Sequence, residues 1–140
     1  MNKLISLILL LAIGGAAFFF YYNSRMAPPV KAYREYRRAA CVAESPDASL
    51  AKWSLKIVNR GKNGSDVQYE ADQNAVWIPE QSALRAATIV KTKYSVTLRQ
   101  QDGQWTVVAE DVIEEKSNYA ENRNEWIDTT QTSRRMLQRR

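Results

Sequence analysis

The sequence predicts an α+β protein in which an N-terminal transmembrane helix precedes a helix packed on a curved antiparallel sheet of four or five strands. Three patterns support this: an uncharged apolar run near the start, a segment with apolar residues three and four positions apart, and a long region of alternating apolar and polar residues. They are typical of a membrane span, an amphipathic helix and half-buried strands. The predicted organisation is a membrane anchor at 1–25, a connector at 26–29, a small α+β domain at 30–116 and a polar, partly helical tail with a basic end at 117–140.

The anchor is predicted from Leu4 to Tyr22, which contains no charged residue. As a helix this run would be roughly 28 Å long, close to the hydrocarbon thickness of a bilayer. A cleaved signal peptide is the alternative, because Lys3 precedes the run and Gly15-Ala16-Ala17 offers small residues for cleavage. The apolar run continues through Phe18-Phe19-Phe20, however, and ends in two tyrosines where an aromatic belt would meet the headgroups. We therefore expect the anchor to be retained.

Two arguments about membrane orientation conflict. The positive-inside rule favours a cytoplasmic domain, because only Lys3 precedes the span and five basic residues follow it, namely Arg25, Lys31, Arg34, Arg37 and Arg38. A short basic start before a leucine-rich run is instead typical of a bacterial signal-anchor, which leaves the domain outside the cytoplasm. We favour a single-pass inner-membrane protein with a periplasmic domain. A cytoplasmic domain, or secretion after cleavage, is the alternative.

The helix of the domain is predicted from Val30 to Glu44. Pro28-Pro29 ends the membrane helix and suits the first turn of the next one. The expected apolar face comprises Tyr33, Tyr36, Ala40 and Ala43, and the basic side comprises Lys31, Arg34 and Arg38. The single cysteine, Cys41, excludes an intrachain disulfide and is expected to be buried as a small apolar residue.

Period-two alternation predicts the strands, and clusters of turn residues separate them. In chain order, the expected segments are a strand from Ala51, a turn at Gly61–Asp66, a strand at Val67–Asp72, a short buried or edge strand at Ala75–Ile78, a loop at Pro79–Leu84 and a long strand at Ala87–Gln101. Asn63-Gly64-Ser65 also matches the glycosylation acceptor pattern, although turn chemistry explains these residues equally well.

The dipeptide Asp102-Gly103 predicts a tight two-residue turn between the long strand and a return strand that runs from Trp105 to about Glu115. With such a turn Gln101 faces Gln104, which sets the pairing of the two strands. Leu98 should then face Val107, and Val96 should face Ala109. The apolar residues would meet on one face of the sheet, which supports this register.

The apolar residues that should point between helix and sheet form the expected core. They are Tyr33, Tyr36, Trp53, Leu55, Val67, Tyr69, Val96, Leu98 and Val107. Trp77, beside Pro79, and Trp126, in the polar tail, are candidates for a partner-binding surface instead. From Ser117 onwards the sequence predicts a partly ordered segment, helical near Trp126.

The helix-then-strands order over roughly Val30 to Glu115 resembles the cystatin-like or nuclear-transport-factor-2-like superfamily. The final hairpin, Tyr94-Ser95-Val96-Thr97-Leu98 followed by Asp102-Gly103-Gln104-Trp105-Thr106-Val107-Val108, is similar to the last hairpin of many such domains. Some members are single-pass envelope proteins of secretion machines, with an N-terminal membrane helix and a soluble assembly domain. The resemblance implies an assembly domain and brings no catalytic motif.

The residue inventory excludes several chemistries. The chain has no histidine and one cysteine, which excludes Ser-His-Asp and Cys-His catalysis, the common zinc sites and a CxxC pair. It contains no GxGxxG or P-loop motif. The carboxylates Glu110, Asp111, Glu114 and Glu115 are expected on the solvated surface, and Asp66, Glu70 and Asp72 lack the spacing of a calcium loop. We therefore expect no catalytic, cofactor-binding or metal-binding residues.

These observations favour a non-enzymatic membrane protein whose domain binds other protein subunits, as a structural or accessory subunit of a bacterial envelope assembly such as a secretion-type complex. The expected partners are the membrane, through Leu4 to Tyr22, and other subunits. Self-association is an option through the small-residue face of Ala12, Gly15 and Ala16. No nucleic acid partner is expected, because the basic residues form no continuous face. The alternative is a small-molecule-binding or enzymatic domain with a pocket between helix and sheet.

Overall fold

The computed structural model describes residues 2–22, 27–79 and 87–139, and it confirms the predicted α+β class with a curved, open, five-stranded antiparallel sheet. The elements in chain order are α1 (Asn2–Tyr21), α2 (Pro28–Glu44), β1 (Ala48–Asn63), β2 (Asp66–Pro79), β3 (Thr88–Gln101), β4 (Gln104–Asn118), a 3₁₀ turn (Ala120–Asn122), β5 (Ile127–Asp128) and α3 (Thr130–Gln138).

Helix α1 is 20 residues long, and none of its residues is buried against the rest of the protein. Its length and its apolar composition are sufficient for it to cross a membrane. A helix that is apolar on every side has no polar face to turn towards water, so it needs an apolar surrounding that the domain does not supply.

The strands follow one another in the order β1-β2-β3-β4-β5, so each long strand pairs with its neighbour in sequence. The Asp102-Gly103 turn is confirmed, and both residues have positive φ angles, 51° and 78°. Two positive φ angles give the tight hairpin turn that matches strand twist. The first hairpin is tighter than predicted. Because β1 continues to Asn63, only Gly64 and Ser65 form the loop, and the predicted turn at Gly61–Asp66 is wrong in extent.

The expected short strand at Ala75–Ile78 is not a separate element, because it forms the second half of β2. Trp77 consequently faces the core and is 9% exposed, so its predicted role on a partner surface is wrong. The predicted loop at Pro79–Leu84 begins with the last residue of β2, and its remainder lies outside the described residues. The long strand that follows is confirmed as β3.

Helix α2 packs on the sheet with a different face from the predicted one. Its buried residues are Val30, Tyr33, Arg37 and Cys41, at spacings of three and four. The burial predicted for Cys41 is confirmed. Tyr36 is 43% exposed, so its place in the core was wrong. The helix carries two overlapping stripes of residues, the predicted apolar one and the buried one. The buried stripe can include Arg37 because a carboxylate of the sheet, that of Glu110, pairs with it.

The apolar core consists of two separate clusters on the helix-facing side of the sheet. The larger one comprises Val30, Tyr33, Leu55, Ile57, Tyr69, Ala71, Val96 and Leu98. The smaller one comprises Cys41, Ala75 and Trp77. Of the remaining predicted core residues, Trp53, Val67 and Val107 are half-buried and pack against the larger cluster. Along α2, Arg37 lies between the two clusters.

The C-terminal segment covers part of the outer edge of β4. Strand β5 pairs with Lys116 and Ser117, and α3 follows it, with Thr130 and Ser133 buried. The helix predicted near Trp126 begins four residues after it, at Thr130, and Trp126 itself is not helical. Arg134 donates from Nε to the carbonyl oxygen of Val112 at 2.7 Å, which ties α3 to β4.

Candidate functional site

A buried ion cluster separates the two apolar clusters beneath α2. Arg37 of α2 donates from Nη1 to Oε1 of Glu110 on β4 at 2.6 Å, and from Nη2 to Glu44 at the end of its own helix. Tyr33 donates its hydroxyl to the other oxygen of Glu110 at 2.8 Å. The side chains of Arg37 and Glu110 are 0% and 4% exposed, so this pair is withdrawn from water.

Glu110 reaches this position because β4 contains a bulge at Val108. Leu98 faces Val107 as predicted, but Thr97 faces Ala109, so Val108 is an extra residue in the ladder. The inserted residue reverses the alternation of side chains beyond it. Val96 therefore faces Glu110, and its predicted pairing with Ala109 is wrong. The expectation that Glu110 lies on the solvated surface is wrong for the same reason.

A second bulge, at Ile113, reverses the alternation again and brings Glu115 to the helix-facing side. Thr92 and Thr129 each donate a hydroxyl to the Glu115 carboxylate at 2.8 Å. This contact is half-buried, so the predicted surface position of Glu115 is also wrong. Asp111 and Glu114 stay exposed as predicted, and Glu114 pairs with Lys116 at 3.0 Å.

The guanidinium of Arg37 is enclosed on its remaining sides. It lies over the ring of the buried Tyr94, with its central carbon 4.4 Å from the ring centroid. Its Nε is buried and has no hydrogen-bond partner among the described residues. A cation over an aromatic face is stabilised by the ring quadrupole. The arginine thus joins α2 to two strands, through the Glu110 carboxylate on β4 and the Tyr94 ring on β3.

The charges of the cluster are set by burial and by one another. Burial raises the pKa of the Glu110 carboxyl above its usual value, and Arg37 and the Tyr33 hydrogen bond lower it in part. Burial also raises the pKa of Tyr33, and the Glu110 charge raises it further, so this phenol keeps its proton and acts as a donor. Burial by itself lowers the pKa of Arg37, but its neighbours Tyr94, Glu110 and Glu44 raise it more, so the arginine stays charged.

The cluster occupies the space between the middle of α2 and the sheet, where a ligand pocket was the alternative prediction. The polar groups that such a pocket requires do face inward, but they bind one another: both carboxylate oxygens of Glu110 accept hydrogen bonds from this chain. The arrangement therefore holds a helix on a sheet and fixes their relative position. Two weak signals of it are present in the sequence: an arginine in register with the buried helix stripe, and a glutamate in a strand segment, 107–113, where Asp111 is the other charged residue.

The two long edges of the sheet differ in how they are covered. On β4, Thr129 N–H donates to the carbonyl of Glu115 at 3.0 Å, and Glu115 N–H donates to the Thr130 hydroxyl at 2.9 Å. On β1, between residues 49 and 63, the described part of the chain supplies one hydrogen bond to the outer backbone edge. In that bond Arg34 donates to the carbonyl of Leu55 at 2.5 Å. Within the described residues, most of the outer backbone edge of β1 is therefore unpaired.

The other residues considered as site candidates lie apart. Asp66 forms two hydrogen bonds with Arg99, both at 2.9 Å, and Glu70 accepts one from Asn59 at 2.6 Å. Within residues 2–22, 27–79 and 87–139, no group of three or more acidic or cysteine side chains is arranged to hold a metal ion. Trp126 is 41% exposed and lies against Lys91, whose Nζ is 4.9 Å from the ring centroid.

Comparison of the chain with models of known families, with curated proteins and with solved structures found no match.

Proposed function

We propose that this chain is a non-enzymatic, single-pass membrane protein whose small domain mediates protein–protein interaction. In this proposal it is a structural or accessory subunit of a bacterial envelope assembly, such as a secretion-type complex, and its domain is related to the cystatin-like or nuclear-transport-factor-2-like superfamily. The observation that carries the proposal is the buried ion cluster. Because Arg37, Glu110 and Tyr33 fill the space between α2 and the sheet, the outer surfaces of the domain are left for binding.

The open edge of β1 is the part of the surface that best suits a protein partner. An edge strand presents backbone N–H and C=O groups that can pair with an added strand, and recognition by strand addition uses this property. The strand contains four basic residues: Lys52, Lys56, Arg60 and Lys62. Charged residues on an edge limit indiscriminate pairing. A partner strand with acidic side chains would satisfy both the backbone and these charges.

The proposed location is the inner membrane, with α1 as the span and the domain in the periplasm. Arg37 is one of the five basic residues after the span that, by the positive-inside rule, favour a cytoplasmic domain. Its burial against Glu110 gives it a role in the core of the domain. Its presence in the basic segment thus has an explanation other than topology, which weakens the case for a cytoplasmic domain. Fusions of a periplasmic and a cytoplasmic reporter to the C-terminus test this, and activity of the cytoplasmic reporter alone would contradict it.

The interaction itself is tested by placing a photoactivatable amino acid at Lys56, on the open edge, in the full-length protein in cells. The matched control places it at Gln131, which is exposed on α3. We expect an adduct of defined mass from position 56 and none from position 131. An adduct of twice the chain mass would identify a second copy as the partner. If neither position gives an adduct and the protein extracted in mild detergent is a lone monomer, the proposal is wrong.

A further inference from the structure

A cleft at the membrane-proximal end of the domain has the composition of an anion site. It measures about 570 Å³ and lies between the start of α2 and the tip of the β1–β2 hairpin. Its floor is apolar and aromatic and includes Pro29, Tyr69 and Trp105, and its rim carries Arg60 and Lys62. This volume falls within the range of about 300–1,000 Å³ that is usual for sites that bind small molecules.

A bulge in β1 places the two cations on this rim. In the pairing of β1 with β2, Ile57 faces Ala71 and Asn59 faces Glu70, so Val58 has no partner residue and forms the bulge. Beyond the bulge, Arg60 faces Tyr69 and Lys62 faces Val67, so both basic residues lie on the helix-facing side of the sheet. Without the bulge that side would carry Asn59, Gly61 and Asn63. The irregularity therefore converts a neutral strand end into a basic one.

The cleft has an excess of positive charge. None of its lining residues is acidic, and neither Arg60 nor Lys62 forms an ion pair within the described parts of the chain. Asp66, the acidic residue closest in sequence to the hairpin tip, has both oxygens bonded to Arg99. The first turn of α2 contains no acidic residue, so the positive end of its helix dipole is not neutralised.

The cleft also lies close to the end of the apolar helix. The backbone N–H of Ala27, which lines the cleft, donates to the carbonyl of Tyr22 at 2.7 Å. Tyr22 follows directly on α1, at the point where an apolar span gives way to the headgroup layer. That layer is about 5–7 Å thick on each side of the hydrocarbon. With α1 spanning a bilayer, the side of the cleft formed by Ala27 therefore lies next to the headgroup layer.

We propose that this cleft binds the phosphate-bearing headgroup of an anionic phospholipid from the bilayer that α1 crosses. Arg60 and Lys62 contact the phosphate, and Trp105 and Tyr69 contact the apolar part of the lipid next to it. This inference rests on the membrane insertion of α1 in the proposed function, and it adds a lipid ligand to the protein partner. A cation near the membrane surface contributes about a fivefold gain in binding, so the two together give roughly 30-fold.

The test uses the full-length protein in a nonionic detergent, with binding of dioctanoyl-phosphatidylglycerol measured by native mass spectrometry. The variant is Arg60→Gln/Lys62→Gln, and the control is Arg135→Gln/Arg139→Gln, which removes the same charge from exposed positions at the end of α3. We expect the cleft variant to bind the anionic lipid roughly 30-fold more weakly, and the control to bind it like the unmodified chain. Equal losses in both variants would show a general charge effect and overturn the site.

Two control ligands test whether the cleft recognises an anionic lipid, and a separate experiment tests whether α1 is inserted in the membrane. Dioctanoyl-phosphatidylcholine should bind weakly to every variant, and binding equal to that of the anionic lipid would overturn the proposal. Inorganic phosphate should not displace the lipid at a comparable concentration; if it does, the ligand is free phosphate. Carbonate extraction of cell membranes tests α1 independently. Release of the chain into the soluble fraction would contradict the proposed membrane location, whatever the cleft binds.

Discussion

Replacing Arg37 by methionine tests whether the buried ion cluster holds α2 on the sheet. The substitution keeps a long apolar side chain. Within the described residues, it leaves Glu110, whose side chain is 4% exposed, with Tyr33 as its remaining hydrogen-bond donor. Removing one partner of a buried ion pair costs about 3–5 kcal/mol, because the other charge stays buried without compensation. A domain of this size has a total stability of about 5–15 kcal/mol. At about 4 °C per kcal/mol, the melting temperature should fall by about 12–20 °C.

The assay is thermal unfolding of the full-length protein in nonionic detergent, followed by near-ultraviolet circular dichroism, which reports the packing of aromatic side chains in the domain. Arg99→Met is the matched control, because Arg99 pairs with Asp66 at 2.9 Å in an exposed position. Its melting temperature should stay close to that of the unmodified chain. The double variant Arg37→Met/Glu110→Leu removes both charges and should recover most of the loss. A melting temperature of Arg37→Met equal to that of Arg99→Met would contradict this role of the cluster. So would a loss in the double variant equal to the sum of the losses in Arg37→Met and in Glu110→Leu measured alone.

Two further outcomes are expected. Gly103→Ala should lower the stability by about 1–2 kcal/mol, since Gly103 has a φ of 78° that a side chain disfavours. Gly61→Ala, at a position with ordinary φ where the added atom meets Gln68 at 3.9 Å, should change it little, and equal effects in thermal unfolding would contradict this. Burial raises the pKa of the Cys41 thiol to about 11, so at pH 8 this thiol should react slowly with a disulfide reagent in the folded protein and quickly in guanidinium. Fast stoichiometric labelling of the folded chain, measured by absorbance, would disprove it.

Much of the fold can be predicted from short-range patterns in the sequence. The two positive-φ positions at Asp102-Gly103 fix one hairpin, and from that turn the pairs Gln101–Gln104 and Leu98–Val107 follow by counting. Counting then fails at Val108, because a bulge leaves no distinct mark in a run of apolar residues. The predicted pairing of Val96 with Ala109 and the predicted surface position of Glu110 are both wrong for this reason, and the position of Glu115 depends in addition on the second bulge at Ile113.

The face of α2 that packs on the sheet is a second feature that local sequence patterns do not predict. By composition, the stripe with Tyr36, Ala40 and Ala43 is more apolar than the stripe with Arg37, and isolated periodicity favours it. The buried stripe is the one whose charge can be neutralised across the domain interior. That compensation comes from Glu110, 73 positions further along the chain, and no local pattern carries such information.

The apolar helix of spanning length, the order of one helix and successive antiparallel strands, and the tight turn at Asp102-Gly103 can all be predicted from the amino-acid sequence. These features depend on residues within a few positions of one another, so composition and spacing are sufficient to reveal them. Which side chains share the space between helix and sheet depends instead on the three-dimensional fold. Bulges in β1 and β4 moved Arg60, Lys62 and Glu110 onto the helix-facing side. The burial of a charge is decided by a partner distant in sequence, and the register that brings the two together is a property of the whole sheet.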